Sequence, residues 1–357
     1  MSNHSSGDVY RPGADGLRLR ARACAPAVLA LAPLAACSGT KEAPLQRLDL
    51  DPGRTAVVGL SSGAYMATQA HLAYSDRIMG AGVVAGGPYG CAQGDVQTAL
   101  APCMSGKPEL PDAGRLAGRA HELADAGKLA PLSGLAGDRI YLLHAHNDPL
   151  VQPALAQVSA TLYEQLAGDG GIAVRLDDQR DFGHMMPTLD HGVECVTGGS
   201  PYIGKCGFDA AGEMLAWLYG TPVAQPAAEA GGELHRFDQD AYRVEGEDAM
   251  LASTGYVYVP AACAAGDTRC GLLVVFHGCE QNADKVGEAF VRDAGFNPWA
   301  DAHGLVVLYP QVRVSYMPLN PKGCWDWWGY TGPDYDTRDG AQLRWLAAAA
   351  EAIGAPL

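Results

Sequence analysis

Short apolar runs separated by polar turns dominate this chain. Ala56-Val57-Val58, Arg139-Ile140-Tyr141-Leu142-Leu143-His144, Ile172-Ala173-Val174-Arg175-Leu176, Tyr256-Val257-Tyr258-Val259, Leu272 to Phe276 and Leu305 to Tyr309 each have the length and β-branched or aliphatic content of a buried strand. A further strand is expected around Arg236-Phe237. Helical patterns follow the first run and recur over Phe208 to Gly220 and Ala341 to Ala350. Strands interleaved with helices predict an α/β protein with a central, mostly parallel sheet. The Pro/Ala/Gly stretch Thr221 to Gly232 reads as a join within one domain and not as a boundary between two.

The first apolar run leads into Gly59-Leu60-Ser61-Ser62-Gly63, a G-x-S-x-G pentapeptide with a strand before it and a helix after it. That context is the one a nucleophile elbow needs. The serine sits on a sharp turn, and any side chain two positions away would meet neighbouring backbone. Ser61 is therefore the expected nucleophile. Asp148 follows the buried run 139–144, and His184 follows the run 172–176 through a polar loop. Both are thus expected at the carboxyl edge of a parallel sheet, beside the serine. The order Ser, Asp, His is that of α/β-hydrolases. Rivals have plainer readings. His144 lies inside the strand, His146 on the surface or in the cleft wall, and His191 in a loop. Asp177, Asp178, Asp181 and Asp190 form a solvated acidic loop.

Acyl transfer also needs two backbone N–H groups aimed at the developing oxyanion. One is that of Ser62, the residue after the nucleophile; the other normally comes from a loop carrying His-Gly. Leu272 to Phe276 followed by His277-Gly278-Cys279-Glu280-Gln281 matches that element. It ordinarily precedes the serine, yet here it follows the whole triad. The expected helix at 208–220 reads as the last element of the ordinary order, and the early strands come after it. The expectation is a circularly permuted α/β-hydrolase in one catalytic domain, residues 38–357, with the joint at about 221–232.

Net charge is −15, which disfavours nucleic acid as a partner. Arg18, Arg20 and Arg22 before the apolar stretch Ala23 to Ala36 read as an export leader, residues 1–37, too short to span a bilayer. Leu34-Ala35-Ala36-Cys37-Ser38 resembles a lipoprotein processing box, with Cys37 as the lipid-bearing residue. The chain is accordingly expected to be exported, secreted or attached as a periplasmic or outer-membrane lipoprotein, and a monomer. Beyond the leader stand eight cysteines: Cys91, Cys103, Cys195, Cys206, Cys263, Cys270, Cys279 and Cys324. Eight permit 105 pairings; nearest neighbours give 91–103, 195–206, 263–270 and 279–324. The absence of C-x-x-C and H-x-x-x-H spacing disfavours zinc, and no metal or cofactor is expected.

Gly323-Cys324-Trp325-Asp326-Trp327-Trp328-Gly329-Tyr330 packs four aromatics into eight residues, which suggests an apolar cleft wall built from Trp325, Trp327, Trp328 and Tyr330. Together with Gly59-Leu60-Ser61-Ser62-Gly63, Ala85-Gly86-Gly87-Pro88-Tyr89, Gly183-His184, Ser200-Pro201-Tyr202-Ile203 and His277-Gly278-Cys279, this segment resembles the single-domain, circularly permuted polyhydroxybutyrate depolymerases. The resemblance covers nearly everything after about residue 50. It implies hydrolysis of poly(3-hydroxybutyrate) or its oligomers through Ser61, Asp148 and His184, with oxyanion N–H groups from Ser62 and Cys279. It also implies the same four disulfides. A tryptophan held to contact polymer in that family falls at Tyr330. No appended polymer-binding module is expected after the last helix. The alternatives are a feruloyl- or acetyl-type carbohydrate esterase and, from another class, a catalytically silent, surface-anchored binding lipoprotein.

Overall fold

Eight strands form one sheet: β1 (Leu50–Leu60), β2 (Ile78–Val84), β3 (Arg139–Leu143), β4 (Ala173–Asp177), β5 (Glu233–Asp238), β6 (Thr254–Val259), β7 (Cys270–Phe276) and β8 (Leu305–Tyr309). Their spatial order is β4-β3-β2-β1-β7-β8-β6-β5. The first six are parallel to their neighbours, while β6 runs antiparallel to both β8 and β5. The computed structural model describes residues 41–220, 226 and 230–357. The expected leader with Cys37, and most of the expected joint at 221–232, lie outside the described residues.

The expected strands are all present, and β2 adds one that the pattern had not marked. Alternation along them supplies two cores. Val57, Leu272, Val274 and Phe276 face one side, with α1 (Ser62–Ala73) and the later helix residues Leu343, Trp345 and Leu346. Ala56, Val58, Leu60, Leu273 and Val275 face the other, with Met214, Leu215 and Trp299. These belong to α4 (Ala210–Tyr219) and α5 (Phe296–His303), whereas α2 (Ala113–Asp125) and α3 (Ala154–Ala167) pack against each other and α6 (Ala341–Ile353) ends the chain. α1 is buried over its whole length, so a helix led by the serine turn is sealed between sheet and surrounding helices.

Register fixes where the chemistry can be. Leu60 pairs with Val84, Val84 with Leu143, Leu143 with Asp177, and Gly59 with Phe276. The carboxyl ends of five adjacent strands are therefore level, and the loops carrying Ser61, Asp148, His184 and Cys279 leave from one edge. Two features had no strong pattern. Three short strands, Met186–Thr188, Val193–Glu194 and Ile203–Lys205, form a separate sheet beyond His184. A five-residue helix, Val96–Leu100, continues into a π turn, Ala101–Ser105.

Among the described residues, four disulfides join Cys91–Cys103, Cys195–Cys206, Cys263–Cys270 and Cys279–Cys324, the nearest-neighbour set. Four such bonds belong to an oxidising compartment.

Candidate active site

Ser61 stands between β1 and α1 with φ 57° and ψ −118°, a left-handed backbone that few side chains adopt. Its N–H donates to Val84 O at 2.9 Å, which ties the turn to β2. The flanking glycines are there for backbone approach: a Cβ on Gly59 would lie 2.0 Å from Gly63 O, and one on Gly63 would lie 2.3 Å from Phe276 O. Neither gap admits a methyl group.

Asp148 closes an Asx turn just past β3. Its Oδ1 accepts from Leu150 N (2.8 Å) and Val151 N (3.0 Å), which leaves Oδ2 to face His184 Nδ1 at 2.8 Å. Burial pushes the carboxyl upward, but hydrogen bonds from the neighbouring His144 and His184 outweigh it and hold Asp148 well below the usual carboxylate range. Of the two, His184 has the better geometry. His144 Nε2 sits 3.0 Å from Val151 O and 3.5 Å from Asp148, so its proton goes mainly to the carbonyl. His144 is thus a buried supporter of the turn. His184 is held by Gly183 N to Cys195 O (2.6 Å) and Met186 N to Tyr202 O (2.9 Å), beside the Cys195–Cys206 bridge. The rivals lie elsewhere: His146 and His191 are exposed, Asp177 pairs with Arg180, and Asp178 accepts from Gln157 and Gln179.

Ser61, Ser62, His184 and Cys279 line one cleft of about 280 Å³. The loop after β7 reaches it through a buried His277. That ring has Nδ1 2.7 Å from Gly278 O and accepts from Val312 N (3.2 Å) at Nε2, which assigns the neutral Nδ1–H tautomer. Burial lowers its pKa to about 4. Gly278 N is taken by Gln281 Oε1 (2.8 Å), so the next amide along the loop is that of Cys279. Cys279 is bonded to Cys324, and Glu280 N donates to Lys322 O at 2.6 Å.

The aromatic segment divides. Trp327 and Trp328 line the cleft, with Trp327 stacked on Tyr65 at 4.4 Å. Trp325 and Tyr330 are not among the cleft-lining residues, contrary to expectation. Trp325 is core, its ring packed edge-on against Phe276, while its backbone N–H donates to Ser62 Oγ (3.3 Å). Tyr330 turns its hydroxyl inward to Cys324 O (2.7 Å) and accepts from Gln342 (3.0 Å). Asp326 organises the turn between them: its carboxylate accepts from Trp328 N, Gly329 N, Tyr330 N, Thr331 N and Thr331 Oγ1, and burial raises its pKa. The opposite flank is apolar, with Val96, Leu100 and Leu150 exposed at 43%, 52% and 48%. Neither Asp326 nor this flank was singled out from sequence. The spacing of Val96 and Leu100, four apart, was the available signal for the latter.

Known proteins resemble this chain in sequence and in fold. The family described as Esterase PHB depolymerase matches residues 254–347. A poly(3-hydroxybutyrate) depolymerase of Delftia acidovorans is 37% identical over 312 residues, 87% of this chain and 61% of that protein. This chain thus spans about three fifths of that relative. A polyhydroxybutyrate depolymerase of Talaromyces funiculosus is 35% identical over 317 residues, 84% of this chain and 89% of that one. The crystal structure of the Penicillium funiculosum PHB depolymerase superposes with a TM-score of 0.76 at 31% identity, covering 88% of this chain and all of that one. A PHB depolymerase variant complexed with R3HB trimer gives the same TM-score and identity over 87% and 98%. With identity above 30% across nearly the whole of the fungal protein, and a shared α/β-hydrolase sheet, the chain belongs to the polyhydroxybutyrate depolymerase family.

Proposed function

We propose that this protein is a serine esterase that hydrolyses ester bonds of poly(3-hydroxybutyrate) or its oligomers through an acyl-enzyme. The observation that carries the reading is the 2.8 Å Asp148–His184 contact opening onto the cleft lined by Ser61. Asp148, ionised at neutral pH, fixes the Nδ1–H tautomer of His184 and stabilises the imidazolium. Nε2 then takes the Ser61 proton as Oγ attacks the ester carbonyl. The N–H groups of Ser62 and Cys279 hold the oxyanion, with the α1 N-terminus adding its dipole. His184 returns the proton to the leaving alcohol, and water releases the hydroxy acid by the reverse path. Trp327, Trp328 and the Val96–Leu100 flank supply apolar walls for a polyester chain.

The chain order is read as a circular permutation. Support comes from β7 lying beside β1 although the two are far apart in sequence, and from Leu48 N donating to Ile353 O (2.8 Å), which brings the end of α6 beside the entry to β1. Export as a monomer, with residues 1–37 as leader and Cys37 as a lipid-bearing residue, completes the reading.

The test is a substrate panel: 3-hydroxybutyrate release from amorphous polymer, crystalline polymer and soluble oligomers, beside feruloyl and acetyl sugar esters. Preference for the polyester set is expected. Turnover confined to sugar esters refutes the substrate, and no turnover of any ester refutes the enzyme.

A further inference from the structure

The loop after β7 is stitched down at three successive residues, in two directions. Cys279 and Glu280 are tied to the 322–324 segment, whereas Gln281 reaches the other way. Gln281 is 1% exposed. Its Oε1 accepts from Gly278 N at 2.8 Å, and its Nε2 donates to both Pro201 O and Tyr202 O at 3.0 Å. Both amide hydrogens are used, and a flipped amide would set N–H against N–H, so the orientation is determined. Tyr202 O in turn accepts from Met186 N at 2.9 Å, two residues beyond His184. One side chain thus bridges the oxyanion loop and the segment bearing the base.

The backbone at both ends of the bridge is strained. Tyr202 and Glu280 each have φ 59°, and Ser61 has φ 57°; all three line the cleft. Non-glycine residues keep such angles only where their surroundings over-determine them. Gln281 bonds the backbone of both strained segments, and beside it Tyr202 Oη donates to Glu280 Oε2 at 3.4 Å.

We propose that Gln281 is a positioning residue for ester hydrolysis, setting the Cys279 amide against the His184 imidazole by holding Gly278 and the Pro201–Tyr202 carbonyls at fixed separation. Its bond to Gly278 N also directs that amide away from the cleft, leaving Cys279 N as the loop's donor. The inference rests on the esterase reading above. A buried glutamine that only stabilised the fold would contribute to melting temperature and leave the transition state alone.

Gln281→Glu is the sharpest variant: it keeps the acceptor for Gly278 N but turns oxygen toward two carbonyl oxygens. Gln281→Met keeps length without polarity. The wild type is first treated with a p-nitrophenyl phosphonate and its adduct mapped. No label on Ser61 would sink the esterase reading itself. With Ser61 labelled, kcat and KM are measured on p-nitrophenyl butyrate, together with inhibition by a trifluoromethyl ketone that mimics the tetrahedral intermediate. For Gln281→Glu, kcat is expected to fall about 10- to 100-fold, the scale of a roughly 1 Å misplacement, with KM within about threefold. Affinity for the ketone should weaken by the same factor as kcat/KM. If kcat and ketone affinity stay within about twofold of wild type while only the melting temperature drops, Gln281 is structural and the inference is wrong. Should Gln281→Glu not fold, Gln281→Met and Gln281→Asn decide by the same readouts.

Discussion

Removing the Cys279–Cys324 bridge separates what it does for stability from what it does for rate. The bond closes a loop over a separation of 45 residues, for which chain-entropy arithmetic assigns about 4 kcal/mol. Cys263–Cys270 closes over only 7, worth about 2.4 kcal/mol by the same arithmetic. On entropy alone, the double variant Cys279→Ser/Cys324→Ser should therefore lose roughly 1.5 kcal/mol more than Cys263→Ser/Cys270→Ser. The rates should differ more. Cys279 lies in the cleft wall, whereas Cys270 begins β7 at the end away from it. Without the bridge, the loop keeps the Glu280–Lys322 and Gln281 bonds, so it shifts but does not come away. A displacement approaching 1 Å costs on the order of a hundredfold. We expect kcat on a soluble ester to fall about 10- to 100-fold for the 279/324 variant and to stay within about twofold for the 263/270 variant. Urea unfolding gives the stabilities, and steady-state kinetics well below both melting temperatures give the rates, on oxidised protein with the other bridges confirmed by non-reducing peptide mapping. Equal kcat in the two variants would refute a catalytic role for the clamp.

Other expectations follow from the same geometry. Ser61→Ala and His184→Ala should reduce ester turnover to near background with unchanged folding, and Asp148→Asn should cost on the order of ten-thousandfold, read by kcat on the same ester; a Ser61→Ala protein with substantial activity contradicts the elbow. His277 should make the protein acid-labile. Its folded pKa, about 4, lies below the ordinary 6.5, so the unfolded chain binds the proton first. The stabilisation is complete above about pH 6.5 and is lost as pH falls, by about 2 kcal/mol between pH 6.5 and 5. His277→Asn should flatten that part of the urea-unfolding profile, and an unchanged slope would show that His277 is not responsible. A chain re-cut to begin near Gly232 and end near Gly220, with residue 357 joined to the mature start, should fold and hydrolyse esters. Failure across several joining lengths counts against the permuted topology.

The proposed triad was legible because each member is announced locally. A Cβ at Gly59 or Gly63 would lie 2.0 or 2.3 Å from a backbone oxygen, and Asp148 and His184 each follow an apolar run whose end the sheet register brings level with the serine. The aromatic segment was legible in composition but not in direction. In an irregular turn no period says which side chain faces the cleft, and so Trp325 and Tyr330 went to the core side while Trp327 and Trp328 went to the wall. Gln281 and Asp326 left no trace of burial in the sequence: polar residues in polar loops look solvated until their backbone partners are known. The small sheet beyond His184 was missed because strands of two or three residues are too short to alternate.

Acylation of Ser61 by a polyester can be caught directly. Soluble 3-hydroxybutyrate oligomer is mixed with the protein, quenched in acid during turnover, and the protein is weighed intact and then peptide-mapped. A mass increment matching one or more 3-hydroxybutyryl units, carried on the Ser61 peptide and absent from Ser61→Ala, is the predicted result. Steady hydrolysis by the wild type with no adduct on Ser61, or with continued turnover in Ser61→Ala, would contradict it.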